Sequence, residues 1–198
     1  MRDKYGVSQD NYCYPNSDVL KNKLNILDET TLEDAELAFT AVRYSEYSSA
    51  ISSINSFNLT HLKALHQHLF QDVFEWAGEI RTVDISKGLT RFCTCQRIEQ
   101  EATKQFSRLP LLLNINSTEE LITVIADIFC ELNIIHPFRE GNGRTQRFFF
   151  EELFFFLGLN VEWPNIKKDK WVEANIHGYN GNLKPLVQIL TDATSLDI

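Results

Sequence analysis

Apolar residues recur at helical spacing through most of the chain and switch to strand-like alternation between Ile80 and Cys95. Val19–Leu27 predicts a short amphipathic helix. Leu32, Ala35, Phe39, Val42 and Tyr47 form a stripe that predicts a second helix over Leu32–Tyr47. Thr60 is a good N-cap for a third, with Leu62, Leu65, Leu69, Phe70 and Val73 on one side and Gly78 as its stop. Helical patterns return at Ile98–Leu109, Glu119–Ile135 and Asn142–Leu157. The last of these carries Phe148, Phe149, Phe150, Phe154, Phe155 and Phe156, apolar around so much of its circumference that it must be central and buried. Gly158 ends it. Lys170–Ile176 and Leu183–Asp192 predict two short helices around the turn His177–Asn182.

The alternating segment reads as a hairpin. Ile80, Thr82, Val83 and Ile85 lead to the turn Ser86-Lys87-Gly88, and Thr90, Phe92 and Thr94 follow. Two strands alone are marginal, so the hairpin must lean on the helices. Its free edge could accept an extended peptide. The expected class is mainly α, a helical bundle with one β-hairpin.

With 198 residues and no repeats or linker-like stretches, the chain is expected to be a single domain, with a core from about 14 to 190 and a short polar segment 1–13. Its formal charge of −8 argues against a general affinity for nucleic acid. The polar start lacks the apolar core of a signal peptide, and Phe148–Leu157, interrupted by Glu151 and Glu152, is too short to span a bilayer. A cytoplasmic location with no membrane contact is the expectation. Cys13, Cys93, Cys95 and Cys130 lack metal-site spacing and read as reduced packing residues. His66 and His68 read as ordinary surface residues.

The densest chemistry lies in His136-Pro137-Phe138-Arg139-Glu140-Gly141-Asn142-Gly143-Arg144-Thr145-Gln146-Arg147. Pro137 disfavours helix at His136 and turns the chain. Gly141 and Gly143 let it tighten and start a new helix, whose first N–H groups and dipole form an anion site. Arg144 and Arg147, three apart on one face, extend that site and suit a polyphosphate. Asn142 can donate its amide to a phosphate oxygen. Glu140 beside phosphates implies an intervening cation, and magnesium is commonly held by a carboxylate and phosphate oxygens. His136, with an ordinary pKa of roughly 6.5, is placed to act as a general base. Base, metal ligand and phosphate clamp together make a nucleotidyl or phosphoryl transfer site.

This run matches the Fic signature, His-Pro-Phe-x-(Asp or Glu)-Gly-Asn-Gly-Arg-x-x-Arg, at every defined position, and the chain from about Tyr14 to about Leu190 resembles that family. The resemblance implies a Fic-fold helical bundle with the hairpin as a flap over the active site. It implies that His136 deprotonates a target hydroxyl, Glu140 holds Mg2+, and Gly141, Asn142, Gly143, Arg144 and Arg147 bind nucleotide phosphates. Ile85-Ser86-Lys87-Gly88 with Phe92 resembles the family's flap, which puts Lys87 and Gly88 near those phosphates; the alternative for Lys87 is a solvated hairpin tip. The flap, about 80–95, would hold a protein substrate by its Ser, Thr or Tyr segment, and the turn 177–182 would lie near the adenine. Relatives that move a terminal phosphate carry Lys in place of Gly143, so the glycine favours transfer of AMP from ATP.

Many Fic proteins are silenced by a helix bearing Ser or Thr, three residues, Glu, then Gly or Asn, whose glutamate pairs with the second motif arginine. That spacing does not occur in this chain. The resemblance is then to the toxin subgroup restrained by a small, separately encoded antitoxin acting near Arg147. Two other functions stay open: a transferase using another donor, such as UTP or a diphosphate-linked choline, and a catalytically silent peptide-binding module.

Overall fold

The computed structural model describes residues 11–88 and 90–196. Its α-helices are α1 (Glu29–Glu46), α2 (Leu59–Phe70), α3 (Ile98–Phe106), α4 (Thr118–Ile135), α5 (Asn142–Phe156), α6 (Lys168–Tyr179) and α7 (Lys184–Ala193). The strands β1 (Ser86–Lys87) and β2 (Thr90–Arg91) form an antiparallel hairpin, and β3 (Leu159–Val161) pairs antiparallel with β4 (Thr194–Leu196). Several helices start where a side chain supplies the missing acceptor for the first turn. Asp28 accepts from the Thr31 N–H (2.8 Å), Asn58 from His61 (3.1 Å) and Ser117 from Glu120 (3.3 Å).

Helices α4 and α5 form the centre. Ile125 and Ile128 of α4 pack with Phe149, Phe150, Leu153 and Phe154 of α5 and Leu186 and Leu190 of α7, all fully buried. Gln146 of α5 donates to the Phe129 carbonyl of α4 (2.6 Å), fixing the axial register of the two helices. The His136–Arg147 run spans the loop between them and the first turns of α5, so a rigid core stands directly beneath it.

The mainly helical class with a small hairpin is what the pattern predicted, and the differences are local. Val19–Leu27 is not helical. The Asn22 side chain donates to the Leu20 and Ile26 carbonyls (2.9 and 2.8 Å) and accepts from the Ile26 N–H (2.9 Å), while Asn25 sits at φ 56°. These local side-chain bonds outcompete a helical turn. Helix α2 starts after Asn58 rather than at Thr60 and ends at Phe70, with Gly78 (φ 85°) turning the chain further on. Helix α6 runs through the predicted turn as far as Tyr179. The β3–β4 pair was not predicted.

Helix α1 turns a different face inward from the one its apolar stripe indicated. Leu32, Glu36 and Thr40 are buried, while Leu37 (59% exposed) and Val42 (54%) face outward. The inner face answers charged partners. Arg43 forks onto Asp72 (2.6 and 2.8 Å), and Glu36 meets Arg144. On α5, Phe155 is likewise exposed (67%), so the helix is buried on three sides rather than all round. Glu152 of α5 is buried but satisfied, accepting from Tyr47 (2.9 Å), from Ser49 and from His61 (2.5 Å).

Candidate active site

Helix α4 ends at His136, which adopts the left-handed conformation (φ 49°, ψ 65°) as its C-cap, its N–H bonded to the Leu132 carbonyl (3.1 Å). A non-glycine residue held there is strained unless its surroundings fix it. Several contacts do so. His136 Nδ1 lies 3.0 Å from the Asn133 carbonyl, and Phe92 from the hairpin stacks on the imidazole at 3.9 Å between centroids, 13° from parallel. A carbonyl only accepts, so Nδ1 carries the proton and the lone pair is at Nε2. Burial pushes the pKa down to about 4, outweighing the Asn133 bond and the nearby Glu140 charge. The ring is therefore neutral at pH 7 and presents a proton acceptor.

The loop that follows is pinned at each residue. Phe138 stacks on His66 (3.9 Å, 20°). The Asn142 side chain accepts from the Phe138 N–H (2.8 Å) and donates to the Phe138 carbonyl (2.7 Å). Its amide is thus given to the loop, and an anion would meet the backbone N–H groups of this turn instead. Gly141 sits at φ 79°, and a Cβ there would come within 2.3 Å of the Phe70 ring, so two constraints demand glycine. Gly143 is exposed, and a Cβ on it would meet nothing within 4 Å. Open space therefore stands over the first turn of α5, where unpaired N–H groups and the positive dipole end attract an anion.

His66 is the main correction within the site. It is fully buried, not a surface residue. Its Nδ1 accepts from the Gly78 N–H (2.8 Å), so its Nε2 must donate to the Glu140 carbonyl at 3.0 Å. This neutral ring ties α2 to the loop, and burial lowers its pKa to about 4. No sequence signal marked it, because the cluster that buries it (Phe70, Trp76, Phe138) comes from three segments.

Around the open turn stand the charged groups. Glu140 is buried; one carboxylate oxygen accepts from the Gly141 N–H (2.9 Å), and Arg144 lies 3.9 Å away. Arg144 pairs with Glu36 and lies over the Phe70 ring at 4.6 Å. Arg147 packs over Trp171 of α6 at 5.7 Å, and burial together with the Arg144 charge lowers its pKa. Among the described residues no carboxylate lies within 4 Å of it. Two adjacent guanidinium groups, one of them not neutralised, fit a polyanion. Lys87 is exposed on the hairpin, yet its charge reaches His136. Gly88 takes φ 58° at the hairpin turn, with open space around it.

The donor set suits a metal only in part. One carboxylate stands at the cradle, and no three potential ligands cluster among the described residues. That fits a hard cation such as magnesium, which takes one or two carboxylates and fills its shell with phosphate oxygens and water.

A neutral imidazole, a carboxylate and paired guanidinium groups thus stand around an open helix N-terminus. The chain belongs to the Fic/DOC family, whose model matches residues 56–154. It is 36% identical over 200 residues to the "Probable protein adenylyltransferase Fic" of Escherichia coli (strain K12), covering 98% of this chain and 97% of that protein. Among solved structures, BepC from Bartonella tribocorum with bound AMPPNP is similar with a TM-score of 0.85 and 27% identity, covering 95% of this chain and 98% of that one. The N-terminal Fic domain of a Bartonella quintana effector with bound ADP also gives 0.85, at 28% identity over 94% and 95% of the two chains.

Proposed function

We propose that this chain is a protein adenylyltransferase, moving AMP from ATP to a Ser, Thr or Tyr hydroxyl of a target protein. The observation that carries the reading is the juxtaposition of a neutral His136, its proton held on Nδ1, with the Arg144–Arg147 pair at the open N-terminus of α5. Relatives similar over nearly the whole chain carry the adenylyltransferase name, and similar structures bind AMPPNP and ADP.

In this reading the target hydroxyl oxygen attacks the α-phosphorus while its proton passes to His136 Nε2. The bond from that phosphorus to the bridging oxygen breaks, and pyrophosphate leaves. Arg144, Arg147 and the N–H groups of Asn142 and Gly143 orient the phosphates and offset the charge that develops on them. Glu140 is the residue that would hold Mg2+, which when bound supplies further neutralisation. Lys87 and Gly88 border the phosphates from the hairpin, whose edge docks the target segment by strand addition.

The finer reading is a toxin working in the cytoplasm, where ATP and magnesium are plentiful, restrained in trans by a small antitoxin whose glutamate pairs with Arg147. The lack of a carboxylate beside Arg147 among the described residues supports it. No helix there is long and apolar enough to cross a membrane.

The test is transfer of label to lysate proteins from ATP labelled at the α- or the γ-position, and from α-labelled UTP. Adenylyl transfer predicts label from α-ATP alone. Label from γ-ATP or UTP would replace the donor chemistry, and none from any donor would leave a binding module.

A further inference from the structure

Arg81 lies outside the signature, between α2 and the hairpin, and its side chain is fully buried. Its Nε donates to the His136 carbonyl (2.9 Å), Nη1 to Val83 (2.6 Å), and Nη2 to Cys93 and to Ile135 (3.3 Å). Its backbone N–H donates to the Pro137 carbonyl (2.9 Å), and the Cys93 N–H donates to Ile134 (3.0 Å). One guanidinium thus joins both arms of the hairpin to the last turn of α4, whose carbonyls have no helical partners and carry the negative dipole end. Among the described residues the nearest carboxylate, on half-exposed Asp84, is 3.9 Å away, so the buried charge is held chiefly by carbonyls. Burying a cation on those terms is costly, and an apolar side chain would pack the site without that cost.

We infer that Arg81 is a positioning residue for the transfer reaction, fixing the peptide-docking edge of the hairpin and the His136 imidazole as one unit. The inference rests on reading His136 as the base and the hairpin as the docking edge. Phe92, one residue before Cys93, stacks on His136, so hairpin position and ring environment are mechanically linked. If the hairpin moves, the ring loses its stack and gains water. Its proton affinity then rises from the depressed value that burial sets. The charges acting on the ring are Glu140, which raises its pKa, and Arg81 and Lys87, which lower it.

The test uses the full chain with Arg81→Lys and Arg81→Gln, each first checked by near-ultraviolet circular dichroism and melting temperature. A lysine keeps the charge but cannot fork onto four carbonyls. In Arg81→Lys, transfer of α-label to lysate protein is expected to fall about a hundredfold, the scale of roughly 1 Å of misplacement. The ATP dissociation constant with magnesium should stay within about twofold, a phosphate site untouched by so small a displacement. Long-range proton–nitrogen NMR should show His136 titrating at a higher pH than in wild type. A folded Arg81→Lys variant with unmoved His136 titration and unchanged transfer overturns the inference. Should both variants fail to fold, amide exchange in wild type decides. The Arg81, Phe92, Cys93 and His136 amides should share one protection level, and Phe92 and Cys93 exchanging far faster than the other two would show that the hairpin opens alone. NMR and exchange read geometry without catalysis, so the two failures differ: an inactive wild type defeats the proposed function, whereas an active wild type beside an Arg81→Lys variant with unmoved titration and transfer defeats this inference alone.

Discussion

Lowering the pH from 7 to 5 should destabilise this protein through His66, by an amount its environment sets. The ring is fully buried, bonded at both nitrogens in its neutral form and stacked on Phe138 and Phe70, and its pKa falls from the ordinary 6.5 to about 4. The unfolded chain takes up a proton between those values and the folded chain does not, so stability is lost as pH falls from about 6.5 and the loss levels off below about 4. Linkage across that window gives about 2 kcal/mol by pH 5 and about 3 kcal/mol in full. His136 carries a shift of the same direction and size and adds to the loss. The depressed carboxylates, Glu152 among them, act below this window, since their contribution disappears only as pH falls through their lowered pKa values. Urea unfolding of wild type and His66→Gln at pH 7 and pH 5 isolates the effect. Glutamine can keep both hydrogen bonds but cannot titrate, and differencing across pH removes any pH-independent cost. The acid loss should shrink in the variant by about 2 kcal/mol. Equal acid losses in the two proteins, within about 0.5 kcal/mol, would refute a buried neutral His66, since each displaced pKa unit is worth about 1.4 kcal/mol.

Glu140→Ala should weaken ATP binding in magnesium but not in EDTA, whereas Arg144→Ala should weaken it in both; equal metal dependence in titrations of the two variants would contradict the division of roles. The isolated chain with magnesium and ATP should be active as purified, and Arg147→Ala should lower that activity. An inert chain that truncation at either end switches on would place the inhibitor in cis and remove the need for an antitoxin.

The fold class and the signature loop were legible because each rests on local rules. Helical periodicity marked α2 through α5, and a proline after a histidine and two glycines marked a turn into a helix. Groups that depend on distant segments were not legible. Glu36 lies off the apolar stripe that marked α1, yet it is buried where Arg144 of α5 meets it. His66 and Arg81 carried no signal, since their acceptors are backbone atoms of the loop, the hairpin and the end of α4. The hairpin lies nearer its tip than the alternation suggested: Ser86–Lys87, expected as the turn, forms β1, while 80–85, expected as a strand, is not one, and there Arg81 occupies the carbonyls of Val83 and Cys93. Residues 1–10, most of the polar segment expected at 1–13, and Leu89, within the expected flap, lie outside the described residues.

The central claim is that His136 removes a proton from a protein hydroxyl as AMP is transferred. Its most direct test is mass spectrometry of a lysate treated with ATP, magnesium and either wild type or His136→Ala, beside ATP-binding isotherms of both proteins. The account predicts a hydroxyl side chain carrying one adenylyl group with wild type. It predicts a rate lower by roughly a hundred- to ten-thousand-fold in the variant, the usual cost of losing a general base, and closely matching isotherms. A variant that adenylylates at more than about half the wild-type rate at saturating ATP, far outside that range, would contradict it.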